Sequence, residues 1–218
     1  MSDAPRVQLF ATQTAEHDHD DGHGDHHAVT PATLENVKFA TWLYIGSEIM
    51  IFSAMLVAYL VFRIFNWEIV QEATEHLSIT LVSLNTFILL ASSWMMVMGL
   101  RAIQNGSNEG LVRWISGTVV LGAIFVGLQV VEYAELVHHG ILLTGGEGLS
   151  RFGMRFYAPT AFHGAHVIIG CLWGLWIISR GARQKFSAER YVSVEVFGLY
   201  WHFVDVVWII LFTFIYLI

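Results

Sequence analysis

The sequence predicts an all-α integral membrane protein, a bundle of five transmembrane helices with the N-terminus inside and the C-terminus outside. Three observations carry this expectation. Of 218 residues, 55% are hydrophobic and only 13% are charged, about half the charge of a soluble domain. Five apolar runs come close to or exceed the roughly 20 residues that a helix needs to cross a ~30 Å hydrocarbon layer. Lysine and arginine are divided unequally between the segments that join those runs. Helices are expected because an isolated strand leaves its backbone polar groups unsatisfied in lipid.

Residues 1–38 stand apart as a polar tail, expected to be disordered and cytoplasmic. Its stretch Glu16–His27, EHDHDDGHGDHH, holds five histidines and five acids, a composition that cannot bury a core. The tail has no apolar h-region, so it does not read as a signal peptide. Two readings stand for its histidines: a solvated tail with incidental metal affinity, or a dedicated metal site.

The spans follow in order. The first, 39–62, is interrupted only by Glu48. The second, 77–100, has no Asp, Glu, Lys or Arg. The third, 114–131, ends at Glu132. The fourth, 156–179, again lacks those charges, and the fifth, 196–218, is broken only by Asp205. With the N-terminus inside, Arg6, Lys38, Arg101, Arg113, Arg180, Arg183, Lys185 and Arg190 lie on the inner side. Arg63, Arg151 and Arg155 lie outside, which satisfies the positive-inside rule. The loop bearing Glu68, Glu72 and Glu75 then faces outward, suited to a basic partner. A lone cysteine, Cys171, excludes a disulfide framework, a cysteine zinc finger and an iron–sulfur cluster held within the chain. The net charge of −7 argues against nucleic-acid binding. No internal repeat is visible.

Polar residues inside a bilayer are costly and therefore informative. Glu48 is expected either protonated or paired with a donor, with Tyr44 and Ser47 the nearest candidates. It reads as a proton-path or lipid-facing carboxyl, or as an interhelical anchor. Gln129 and Glu132 share a helical face, and read as a functional pair or a polar helix end. His163 and His166, in AFHGAHVIIG, share another; they read as a metal pair short of ligands or as interhelical hydrogen-bonders. His202 and Asp205, in YWHFVDVVW, have the spacing of a hydrogen-bonded couple. Asn85 reads as an interhelical donor. Gly170 and Gly174 form a small-xxx-small pair that permits close approach.

Specific strings then go beyond composition. SEIMIFSAMLVAY, SLNTFILLASS, GLQVVEY, FHGAHVIIG and YWHFVDVVW, in this order, resemble subunit III of the heme–copper terminal oxidases over about residues 39–218. The resemblance implies a non-catalytic subunit of a bacterial aa3-type cytochrome c oxidase, in the plasma membrane and in aerobic respiratory electron transport. It implies no cofactor or metal in this chain, with heme and copper in partner subunits. The implied partners are catalytic subunit I, subunit II and phospholipids, with cytochrome c or quinol as electron donor. The family role is to stabilise the catalytic subunit, hold lipid in a cleft and support proton uptake. Glu48 falls at the family's intramembrane glutamate and Arg180 where members place an arginine near a lipid phosphate. Longer members carry two further helices ahead of the matched region. Ala161 replaces a frequent glycine, and Pro159 is expected to kink the fourth span. Glu48, where the quinol branch commonly has aspartate, leans towards the cytochrome c branch. A quinol oxidase subunit and a nitric oxide reductase accessory subunit remain alternatives. A proton or metal transporter is the rival from another class.

Overall fold

The computed structural model describes residues 31–75, 77–143 and 149–218, with side chains from residue 36 onwards. The histidine-rich stretch, and with it residues 1–30 of the expected tail, lies outside the described residues. Six α-helices follow: α1 Pro31–Phe65, α2 Trp67–Thr74, α3 Ile79–Gln104, α4 Asn108–His138, α5 Ser150–Ala182 and α6 Val192–Phe212, the last continuing into a π-helical turn, Thr213–Leu217. Five of the helices, with the turn extending α6, are long and apolar enough to span a membrane.

The helices outrun the apolar runs. α1 is described from Pro31 and so includes residues 31–38 of the segment assigned to the tail. A proline in the first helical turn gives up an N–H that would have no intrahelical partner. α5 starts at Ser150, six residues before its apolar run, and passes Pro159 without ending. The polar turns at each end extend past the apolar runs, and outside a ~30 Å hydrocarbon layer apolar side chains are not required. α2 was not anticipated. It places Val70 and Ala73 inside and Glu68 and Glu72 outside, the pattern of an interfacial amphipathic helix.

Three helices stop by the same device. After α3, Gly106 adopts φ 78°, the Gly106 N–H donates to the Ile103 carbonyl at 2.8 Å and that of Ser107 to Ala102 at 2.9 Å. After α4, Gly140 (φ 81°) repeats this, with Ile141 donating to Leu136. After α5 the left-handed residue is Gln184 (φ 55°), with Lys185 donating to the Arg180 carbonyl at 3.1 Å. Each is a Schellman closure that satisfies carbonyls orphaned at the helix end.

α3, α4, α5 and α6 form the central bundle, and α1 packs on the outside against α5 and α6. The most apolar window of α6 is 56% buried, that of α1 only 28%. α6 is therefore the hub, which explains why it is hydrophobic all round rather than amphipathic. Trp201 of α6 shows how tightly the hub is held. It is wholly buried and donates its indole N–H to Ser92 Oγ on α3 at 3.0 Å. Its ring lies against Gly122 of α4 and Gly170 of α5: a Cβ at either would fall 2.6–2.9 Å from indole carbons or from Cys171 Sγ. Gly174 similarly leaves room for Val119. The small residues thus admit large side chains from neighbours, which is the physical content of the small-xxx-small signal here.

Candidate functional site: the intramembrane polar network

Glu48 sits midway along α1, 9% exposed. Ser47 turns away, its hydroxyl donating to the Tyr44 carbonyl at 2.7 Å. Tyr44 lies beside the carboxyl group. The main partner comes from another helix: Glu48 Oε2 is 3.3 Å from His166 Nε2 of α5, at ion-pair distance but not aligned as a hydrogen bond. His166 Nδ1 is 2.8 Å from the Phe162 carbonyl. That oxygen only accepts, so Nδ1 must carry a proton. Nε2 then faces Glu48 either as a bare lone pair or as N–H. Either way an acid and a base face each other across the α1–α5 contact, which offsets the cost of burying either one alone in hydrocarbon. Phe52, Phe162 and Tyr200 surround the imidazole, and the Tyr200 hydroxyl donates to the His166 carbonyl at 2.9 Å.

His163 does not make the expected interhelical hydrogen bond. It is wholly buried and neither ring nitrogen has a hydrogen-bond partner. Its ring instead stacks on Trp208 of α6 (centroids 4.9 Å, 28°) and meets the edge of Phe125 of α4 at 5.7 Å. It meets its neighbouring helices through its ring, and the polar groups of the two rings it touches are committed elsewhere. Trp208 donates to Thr86 Oγ1 at 2.9 Å, and the Phe125 carbonyl accepts from Asn85 Nδ2 at 3.1 Å.

Asn85 therefore ties α3 to α4. Gln129 ties α4 to α5, its Nε2 donating to the Thr160 carbonyl at 3.0 Å and to Tyr133 Oη at 2.9 Å; Tyr133 in turn donates to Thr160 Oγ1 at 2.8 Å. Glu132 is buried and receives the Tyr216 hydroxyl at 3.3 Å, while its Oε1 has no hydrogen-bond partner. So Gln129 and Glu132 share a face but serve different neighbours: α5 and the π-helical turn.

His202 and Asp205 do not form the couple their spacing suggests. His202 Nδ1 meets Ser93 Oγ of α3 at 2.5 Å. The Asp205 oxygens, beside the same serine, have no aligned hydrogen bond. Spacing of i,i+3 puts both side chains on one face, but that face looks onto α3, so each meets Ser93 before the other. Ser92, Ser93, Thr86, Thr160, Tyr200 and Tyr216 are the partners that sequence reasoning missed. Hydroxyls are too common in apolar helices to stand out, although SS in FILLASS was visible.

Arg180, at the C-terminal end of α5, is exposed. Its guanidinium lies over the Trp176 ring at 5.0 Å and near Phe186 at 6.0 Å, and it forms no ion pair among the described residues. Lys38 of α1 instead pairs with Glu195 of α6 at 2.8 Å. No group of three or more His, Cys, Asp or Glu with metal-ligating geometry occurs among the described residues.

The sequence is similar to those of known proteins. A family model described as cytochrome c oxidase subunit III matches residues 16–218. Cytochrome c oxidase subunit 3 of Corynebacterium diphtheriae is 35% identical over 187 residues, covering 84% of this chain and 88% of that protein. The Synechocystis protein of the same name is 37% identical over 181 residues, covering 83% and 75%. Quinol oxidase subunit 3 of Bacillus spizizenii is 34% identical over 178 residues, covering 81% and 84%.

Proposed function

The chain belongs to the cytochrome c oxidase subunit III family, and from that premise we propose that it is the non-catalytic third subunit of an aa3-type cytochrome c oxidase in a bacterial plasma membrane. Its membership makes it subunit III of a heme–copper oxidase, a multi-pass membrane component of a respiratory complex. The finer reading adds the electron donor, the orientation and the lipid role. One observation carries the scaffold assignment: Asn85, Gln129, His166 and His202 each bind one helix to another. These four polar side chains inside the bundle serve contacts between helices. The relatives named for cytochrome c, with Glu48 at the intramembrane position, support cytochrome c as donor. The quinol oxidase relative keeps quinol as the second reading. Heme and copper belong to subunits I and II in this reading, and the N-terminus is inside by its lysine and arginine distribution.

Affinity purification through a tag on this chain, in mild detergent, is the direct test. A complex with a heme a spectrum that consumes oxygen with reduced cytochrome c is expected. A heme-bearing complex that oxidises only quinol would move the assignment to the second reading. Purification without heme, together with ion uptake by the chain reconstituted alone, would replace it with the transporter.

The lipid role rests on Arg180, whose unpaired guanidinium between two aromatic rings matches a phosphate at headgroup level. Arg180→Ala is expected to leave the initial rate of the complex unchanged while activity decays faster over repeated turnovers. A long oxygen-electrode trace and a phosphorus assay on the same sample check this. An unchanged decay with unchanged lipid content would leave Arg180 as a topology-setting charge only.

A further inference from the structure

The hub helix α6 is covered on every side but one. It packs on α3, α5 and α1, while α3 packs on α4 and α1 on α5. The sector of α6 left open therefore lies between α1 and α3. Val206, Ile209 and Ile210 are exposed there, an apolar stripe along the outer face of α6.

One residue on the stripe is out of place. His202 precedes Val206 by one helical turn and its ring is only half-buried. Its Nδ1 meets Ser93 Oγ of α3. That is the one hydrogen bond His202 makes among the described residues, so Nε2 is left without any. Asp205, whose two oxygens are buried without an aligned hydrogen bond, lies beside the same serine. The carboxyl group is buried and Ser93 is half-buried, so His202 and Ser93 are the members of this polar group that reach the surface. Leu90 and Val97, three and four residues from Ser93 on α3, continue that surface.

The depth of this group is fixed by counting. The last span runs from Val192 to Leu217, which at 1.5 Å per residue is about 39 Å. His202 stands about 15 Å from its start and about 22 Å from its end. A ~30 Å hydrocarbon layer covers that position wherever along the span it falls. An imidazole nitrogen is thus presented sideways out of the bundle at a depth that holds no water.

Beside it, on the α1 flank of the same sector, is a recess of about 180 Å³. Phe52 and Leu56 of α1 and Phe203, Val206 and Ile210 of α6 wall it. A cavity of about 150 Å³ takes a benzene ring, so this recess takes an aromatic or branched aliphatic side chain. An acyl chain fills such a recess but offers no hydrogen bond to Nε2, and polar side chains within a membrane almost always face other protein. A helix meets both features at once. Positions four apart share a face, and a hydroxyl or amide both donates and accepts.

We infer that the open sector of α6 is the docking site for a transmembrane helix of another oxidase subunit. That helix carries a bulky apolar side chain for the recess and, one turn away, a hydroxyl or amide that hydrogen-bonds His202 Nε2. The inference deepens the proposed function. It rests on this chain being one subunit of a membrane oxidase, and not on a particular electron donor or orientation.

The test starts from the heme-bearing complex purified through this chain, so a failure of the oxidase reading shows before the face is probed. Photoreactive benzoyl-phenylalanine replaces Val206, which is 54% exposed and so tolerates the change. Irradiation of the complex in nanodiscs is expected to join this chain to another oxidase subunit. Peptide mass spectrometry should place the bond in a transmembrane segment with Ser, Thr, Asn or Gln within one turn. Bonds only to lipid, or to a second copy of this chain, would overturn the inference, as would a segment with no such residue. Val206→Trp fills the open sector with a side chain that the bundle alone can leave in lipid. At an unchanged level of the chain in the membrane, it is expected to lower copurification of heme at least about tenfold, the scale of an overpacked contact. His202→Leu should lower it several-fold, and His202→Gln, which keeps a hydrogen-bonding group, should retain most of it. Unchanged copurification in Val206→Trp would place the partner elsewhere and overturn the site. If His202→Leu reduces the chain in the membrane, the photochemical bond at Val206 decides alone.

Discussion

Trp201→Ala is expected to destabilise the bundle by about 3–5 kcal/mol, the range for truncating a buried aromatic. The side chain is wholly buried, lies against Gly122 and Gly170, and donates to Ser92 Oγ at 3.0 Å. Removing it leaves a cavity at the point where α3, α4, α5 and α6 meet, and the close glycine contacts give no route to collapse. The converse change, Gly170→Leu, drives a side chain into the indole, and overpacking also costs. Both should appear as loss of this subunit from the solubilised oxidase at lower temperature, followed by gel electrophoresis after graded heating. Trp201→Phe keeps most of the ring area and loses the hydrogen bond, so it should cost less. If Trp201→Ala dissociates at the wild-type temperature, α6 is not the hub described here.

His166→Leu should be the second large effect, about 3–5 kcal/mol, the range for removing one member of a buried pair. The change takes away the base and leaves the buried Glu48 carboxyl without its partner at 3.3 Å. Glu48→Gln in the native background should cost less than about 1.5 kcal/mol, because the amide can donate to Nε2 with His166 still held by Phe162. The double change, Glu48→Leu with His166→Leu, should recover much of the loss, since an apolar pair carries no desolvation cost. This cycle isolates the pair. A double variant as unstable as the sum of its singles would show that the two residues do not act together. Under the proposed non-catalytic assignment, heme content per catalytic subunit should stay constant throughout.

Much of this molecule was legible in the sequence for one physical reason. A bilayer has a defined thickness and tolerates few polar groups, so run length and rare charges report spans and interior residues directly. The five spans and the burial of Glu48, Asn85, Gln129, Glu132, His163, His166 and Asp205 follow from that. The membership of α2 did not, because eight residues between two spans read as a loop until Val70 and Ala73 are seen packed inward.

Partner choice was decided by the tertiary structure alone. Local spacing offered Tyr44 and Ser47 to Glu48, and Asp205 to His202. The bundle supplied His166 from α5 to the first and Ser93 from α3 to the second. His163, whose nitrogens bond nothing, was assigned to hydrogen bonding by its residue type and to ring stacking by its position between Phe125 and Trp208. Arg151 and Arg155 look in the sequence like unfavourable outer charges, and come to lie over the Phe62 ring only when α1 and α5 meet. The difference has a single cause. What a residue costs in lipid is a property of its own side chain and the bilayer, so the sequence by itself determines which residues must be inside and how often the chain crosses. Which partner meets that cost depends on crossing helices distant in the chain, and only the packed bundle determines it.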